Sequence, residues 1–241
     1  MITQFNKSQK ELRRRILEVS FKNKYSHLGS VLSAIDLIYG VYKIKKTHEK
    51  FILSNGHAAL ALYVVLESIG QIKNPKLTEK LRVHPDRNLK LGIHVSSGSL
   101  GHGLPIAVGI ALAERKDNVY CMISDGECAE GSIWEALRVA SEQKVHNLQI
   151  ILNANGWGAY DPISTAPLLK RFKAFGFSVL KIDGHNLTQI TKALKRAQKT
   201  DKPVLILAKT IVEQFPFLKG QDAHYFVMGE EDYNLALKIL R

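Results

Sequence analysis

Two apolar runs, Val119-Tyr120-Cys121-Met122-Ile123 and Leu148-Gln149-Ile150-Ile151-Leu152, read as buried strands, and each stops at polar turn residues, Asp125-Gly126 and 153–155. Between them Glu130, Ile133, Trp134, Leu137 and Ala140 fall at helical spacing, which makes one strand–helix–strand unit. Phe51-Ile52-Leu53, Ser178-Val179-Leu180-Lys181-Ile182 and Val204-Leu205-Ile206-Leu207-Ala208 predict three more strands. Helical patterns occur at Leu12, Ile16, Val19 and Ser20, breaking near 23–26, and at Leu60, Tyr63, Val64 and Leu66. Others fall at 104–113, 187–197 and 230–240. Strands ending at Leu53, Ile123, Leu152, Ile182 and Leu207 with helices between them predict an α/β fold. Its sheet is doubly wound and parallel, has helices on both faces, and holds its ligand beyond the strand carboxyl ends. No repeat, low-complexity tract or linker interrupts the alternation, so residues 1–241 are expected to form a single domain.

Composition narrows the class. No apolar run approaches the ~20 residues of a membrane span, and residues 1–15 are polar and basic without the apolar core of a secretory signal. The expectation is a cytoplasmic protein with no membrane partner. The two cysteines, Cys121 and Cys128, have neither the spacing nor the context of a bridge or zinc site. A net charge of +12 would suit a polyanion, yet the basic residues are scattered over 7–15, 43–50, 73–90 and 170–202 with no nucleic-acid-binding pattern. Most of that charge reads as solvated surface, with part steering anionic small molecules, and no nucleic-acid partner is expected.

Asp125 and Asn155 lie thirty residues apart, the span of a strand, crossover helix and strand, so both are expected just beyond neighbouring strand ends. A carboxylate and a carboxamide there suit a hard cation such as Mg2+ that keeps positions open for phosphate oxygens and water. Asp-Gly and Asn-Gly after strands are also ordinary turn chemistry, and the neighbouring residues separate the two readings.

Ser124-Asp125-Gly126-Glu127, followed by Glu130-Gly131, Trp134-Glu135-Ala136, Asn147-Leu148 and Asn155, resembles the metal motif of the thiamine-diphosphate enzymes of the transketolase family, with Ser124 at its first glycine. The resemblance extends over residues 10 to 240. Ser26-His27-Leu28-Gly29-Ser30, Ser54-Asn55-Gly56-His57-Ala58, Val83-His84-Pro85-Asp86, Gly92 through Leu104, Asp183-Gly184-His185 and Ala223-His224 all resemble family segments. It implies a thiamine-diphosphate-binding fold, with Mg2+ (Ca2+ or Mn2+ as substitutes) held by Asp125, Asn155 and the Trp157 carbonyl. It implies cofactor contacts from His57, Gly98, Ser99, Leu100, Gly126, Glu127, Glu130 and Asn155, and catalytic histidines His27, His57, His84 and His224 at the substrate oxygens. His27 and His57, taken singly, also suit helix-capping, packing or turn roles. Departures stand at His94 and His102, where the family has glutamate and glutamine, at Ala159-Tyr160, and in the rebuilt loop 211–217.

The resemblance implies transfer of a two-carbon ketol unit from a ketose, phosphorylated or specialised, to an aldose. The alternatives are a related enzyme using a 2-oxoacid donor (deoxyxylulose-phosphate-synthase-like or a 2-oxoacid dehydrogenase component) and a non-catalytic relic; the histidine set favours a ketose. In the family a glutamate from a second domain faces the cofactor's aminopyrimidine. With 241 residues spent on the first domain, the expectation is a partner: a C-terminal transketolase subunit carrying the pyrimidine-binding domain and that catalytic glutamate, in a heterotetramer.

Overall fold

The computed structural model describes residues 5–158 and 160–241. Helix α1 (Lys7–Asn23) begins in a reciprocal cap, where the Asn6 side chain accepts the Gln9 N–H and the Gln9 side chain accepts the Asn6 N–H. It ends at left-handed Lys24, within the expected break. Then follow α2 (Leu28–Tyr42), β1 (Lys50–Leu53), α3 (Ala59–Ser68), α4 (Pro75–Thr78), α5 (Gly103–Ala113), β2 (Val119–Ser124) and α6 (Gly131–Glu142). The chain continues through β3 (Leu148–Ala154), α7 (Thr165–Ala174), β4 (Ser178–Asp183), α8 (Leu187–Ala197), β5 (Val204–Lys209), α9 (Asp222–Tyr225) and α10 (Glu230–Ile239).

The five strands are all parallel, in the order β1-β2-β3-β5-β4. Alternate residues of the central strands enter two cores. Phe51, Tyr120, Met122, Ile151 and Ile206 pack with residues of α1, α2, α3 and α8, while Ile52, Cys121, Ile123, Ile150, Leu152 and Leu205 pack with residues of α5, α6 and α7. Coverage on both faces explains why the strands read as unbroken apolar runs rather than alternating ones. From β2 to β4 the chain advances across the sheet with α6 and α7 on one face. It then turns back to insert β5 beside β3, and α8 lies on the other face, as a right-handed crossover in the reversed direction requires.

The expected doubly wound parallel sheet is present with all five strands. Two helices are not legible from periodicity. α2 has almost every residue buried, so it shows no polar stripe, and α7 lies in a stretch where no helix is expected. β2 and β3 run one and two residues beyond the expected ends. Asn153 is therefore inside β3, buried, and bonded to the hydroxyls of Ser33 and Thr210. Glu130, expected on the helix face, is instead the exposed N-cap residue of α6.

A buried ionic network ties the first helices to the far end of the sheet. Arg13 and Asp36, both fully buried, pair at 2.6 Å and 3.0 Å. His185 Nδ1 faces Asp36 at 2.8 Å, and its Nε2 accepts the Ile211 N–H, which leaves the imidazole proton on Nδ1. Arg13 also donates to Gln214, whose amide donates to the Leu32 carbonyl. The loop after β5 is thus clamped onto α1 and α2.

Candidate cofactor and substrate site

The carboxyl ends of β1, β2 and β3 converge on one cavity of about 180 Å³, lined among others by His27, His57, His84, His224, Ser124, Gly126, Asn155 and Trp157. They come from several strand ends and connections. β1 runs into Ser54 and the turn carrying His57, β2 into Asp125-Gly126, and β3 into Asn155 and Trp157. His224 arrives on α9 after the clamped loop.

Asp125 is 1% exposed. Its carboxylate accepts the Gly156 N–H at 2.7 Å and the Gly126 N–H at 3.1 Å, which joins the β2 turn to the β3 turn. Burial pushes its pKa up to about 7 in spite of these donors, and no basic side chain is paired with it among the described residues. Asn155 sets its oxygen on the Trp157 N–H and its nitrogen on the Ser33 hydroxyl. A buried carboxylate lacking a cation, beside a carboxamide oxygen with a second lone pair, has the chemistry of a hard-cation site. The described residues hold no cluster of three or more His, Cys, Asp or Glu side chains able to bind a metal by themselves. The donor set therefore leaves positions for ligand oxygens, which fits a metal–diphosphate unit.

Glu127 has another place. It is fully buried beneath the cavity, where it accepts from the Ser54 hydroxyl (2.5 Å), Gly101 N–H (2.9 Å) and Ser124 N–H (3.0 Å). It pins the β1 end, the β2 end and the glycine turn together rather than lining the cavity. Gly98 and Leu100 of that turn do line it, whereas Ser99 and Glu130 are exposed and do not. Gly98 adopts φ +146°, and a Cβ there would meet the His84 ring at 2.9 Å, so glycine is what admits that imidazole.

The four histidines form one group. His27 and His224 stand 4.6 Å apart edge to face, His27 and His57 5.6 Å, His57 and His224 5.3 Å, and His27 and His84 6.4 Å. Burial, then mutual repulsion of the charged forms, lowers His27 to about 4 and His57 to about 3; burial also lowers His224. These three imidazoles are neutral at pH 7 and can each donate at one nitrogen and accept at the other. Ser26 and Ser30 meet the Nδ1 atoms of His27 and His224 at 2.8 Å and 3.3 Å, which orients both rings. His27 occupies the N-cap position of α2 in a left-handed conformation, yet its side chain caps nothing.

Sequence reasoning missed four contributors. Ser30 and Gly158 line the cavity, Ser33 binds both Asn153 and Asn155, and exposed Tyr225 stands edge to face with His224 at 4.8 Å. The first three sit inside or next to motifs already singled out; Tyr225 carries no signal. His94 lies in a separate cleft with Tyr42 and Lys45, His102 is exposed before α5, and Tyr160 is 81% exposed. The departure at Ala159 lies outside the described residues. Both cysteines are buried free thiols, and among the described residues no helix is long and apolar enough to cross a membrane.

A parallel sheet with a cation-ready cleft at its strand ends and histidines around it defines an α/β domain whose ligand site lies at the carboxyl ends of its strands. The family model described as "Transketolase, thiamine diphosphate binding domain" matches residues 9–240, and the chain belongs to that family of transferases. It is 30% identical over 265 residues to a protein of Actinobacillus succinogenes named as one subunit of an apulose-4-phosphate transketolase, covering 99% of this chain and 96% of that one. The protein of the same name in Phocaeicola vulgatus is 32% identical, with 94% and 90% covered. Human transketolase is 36% identical over 180 residues, 68% of this chain but 28% of the human one. Among solved structures, the transketolase of Campylobacter jejuni superposes with a TM-score of 0.81 at 28% identity, covering 96% of this chain and 42% of that one. The chain thus spans about two fifths of the length of the solved transketolases it matches.

Proposed function

We propose that the chain, a single thiamine-diphosphate-binding domain, is one subunit of a transketolase-type enzyme that moves a two-carbon ketol unit from a ketose to an aldose with thiamine diphosphate and Mg2+. The observation that carries this reading is the convergence of four imidazoles and the Asp125–Asn155 turn pair on one cavity. Asp125 and Asn155, with the Trp157 carbonyl, would hold the Mg2+ and through it the diphosphate. Gly98, Leu100 and Gly126 let the main chain come close to the cofactor, and Glu127 keeps their turns in register. Thiamine diphosphate, when bound, supplies a carbon nucleophile and electron sink. This chain's own part is to position substrate and move protons. Neutral His27, His57 and His224 donate to a carbonyl oxygen or accept from a hydroxyl, with His84 at the mouth, and such groups contribute ~10²–10⁴-fold to a proton-transfer step.

A partner belongs to the same proposal. The cavity is smaller than the ~300 Å³ at which ligand pockets usually begin, as expected of half a site. Two relatives covered over nine tenths or more of their length are themselves named as single subunits of a transketolase. The partner would bring the pyrimidine-binding domain and a catalytic glutamate, in a heterotetramer, and the two free thiols suit a cytoplasmic setting. The names of those relatives also favour a specialised ketose phosphate over a central one.

Calorimetric titration with thiamine diphosphate, with and without Mg2+, of the purified chain and of its mixture with a chain carrying the pyrimidine-binding domain tests cofactor binding; absence of Mg2+-dependent binding in both would mean a relic. Ketol transfer is then assayed with and without a chain carrying the pyrimidine-binding domain, over phosphorylated and unphosphorylated ketoses, apulose 4-phosphate among them, and pyruvate. Activity only in the mixture and only with ketoses is expected. Full activity of this chain alone overturns the partner, and use of pyruvate alone overturns the ketose.

A further inference from the structure

β4 is the edge of the sheet on the side away from β1, and among the described residues its only strand neighbour is β5. Ser178 N donates inward to Pro203 O at 3.0 Å, and Gly184 N donates inward to Lys209 O at 2.8 Å. In a parallel ladder successive residues turn their N–H and C=O to opposite sides, so Val179, Lys181 and Asp183 point theirs outward. The Asp183 N–H is taken by the Gln189 side chain at 2.9 Å, which closes that end of the edge. Val179 and Lys181 keep an open row of main-chain donors and acceptors.

Beside this row runs a cleft of about 430 Å³ between β4 and α8, bordered by Val179, Leu180, Lys181, Ile182 and Ala193 and by Lys192 and Arg196 of α8. Leu180 and Ile182 face α8, whereas Val179, and by alternation Lys181, face the other side of the sheet. The three cations are exposed, and none makes an ion pair with another described residue. Exposed Lys195 adds to the same end of α8.

We propose that this edge docks an acidic, extended segment of a partner protein, which adds to β4 as a sixth strand. Main-chain groups at strand spacing are complemented by another peptide backbone, and acidic side chains of the incoming strand would reach Lys192 and Arg196 on the α8 face of the sheet or Lys181 on the other. A nucleic acid would satisfy the cations only, and the cleft has no aromatic ring on which a base could stack. A lysine on an open edge repels neutral strands of other copies; here Lys181, Lys192 and Arg196 also select by charge, admitting an acidic strand and rejecting a basic one. The inference is independent of the ketol-transfer reading, because the edge lies apart from the residues that line the cofactor cavity.

The test uses the full chain and an eight-residue peptide of alternating valine and glutamate, followed by fluorescence anisotropy and by hydrogen exchange at Val179 and Lys181. The acidic peptide is expected to bind, more weakly as salt rises, and to slow exchange of both amides. A lysine version should bind ~10-fold more weakly, since two exposed charge contacts of a few tenths of a kcal/mol each change from attraction to repulsion, which sums to about that factor. An N-methylated acidic peptide, which lacks the strand donors, should not bind. Lys192→Glu with Arg196→Glu, on the exposed side of α8, should reverse the preference between the two peptides without a change in Tm. No binding by the acidic peptide, equal binding by its N-methylated form, or displacement by oligothymidylate without amide protection would each overturn the proposal.

Discussion

The main-chain N–H of His27 donates to the carbonyl of His224 at 2.8 Å, so two residues nearly two hundred positions apart hold their imidazoles 4.6 Å from each other. The bond is possible because His27 takes φ 66°, a left-handed turn that starts α2 and swings its ring into the cavity instead of onto the helix end. The substrate histidines are therefore set by backbone geometry as much as by side-chain contacts.

That geometry separates a chemical from a structural role. His27→Ala and His27→Gly should both lower turnover of the reconstituted enzyme by ~10²–10⁴-fold. Glycine adopts the left-handed turn freely, so the glycine variant should be the more stable of the two by ~1 kcal/mol. Equal rates for wild type and both variants, measured alongside urea midpoints, would remove His27 from the mechanism.

Asp125 should matter for ligand and little for the fold. Asp125→Asn keeps the shape and removes a buried charge but sets its NH2 against one of the two glycine N–H donors, so the cofactor-free protein should still fold, with a loss of no more than ~1–3 kcal/mol read from its urea midpoint. Mg2+-dependent affinity for thiamine diphosphate should fall by ~10²-fold or more, beyond the effect of losing an outer-shell partner. Wild-type affinity in the folded variant, read by calorimetry, would contradict the cation site.

The histidine group predicts acid sensitivity, with a sign fixed by direction. His27 and His57 have pKa values of about 4 and about 3 in the folded chain, below the ordinary 6.5. Above pH 6.5 neither group favours either state. Below it the unfolded chain takes up protons that the folded chain refuses, so stability falls as pH drops from about 6.5 toward 4. Melting curves across that range should show a shallower fall for His57→Gln than for wild type; identical slopes would show that His57 does not contribute.

Arg13 is predicted to hold the loop after β5. Arg13→Met leaves Asp36 buried beside His185 alone and releases Gln214. Asp36 is held below the usual carboxylate range, against the cost of its burial, first by Arg13 and then by His185. Breaking such a buried pair costs ~3–5 kcal/mol, measurable as a urea midpoint shift, together with faster amide exchange at Ile211. The double variant Arg13→Met with Asp36→Leu should recover part of that loss.

What the sequence by itself determined was local. Five apolar runs sandwiched between turn residues specified buried parallel strands, because a strand covered on both faces has no polar positions. The spacing of Asp125 and Asn155 placed both at neighbouring strand ends, because the crossover helix between those strands has a nearly fixed length. Tertiary structure decided the rest. The order β3-β5-β4 depends on which face α8 packs, which periodicity does not encode. Glu127, a cofactor contact by its motif, lies under the floor because three donors from separate turns meet there. Ser30, Ser33 and Tyr225 reach the site only through the packing of α2 against β3 and α9, contacts between segments that are distant along the chain and adjacent only once the two cores have closed.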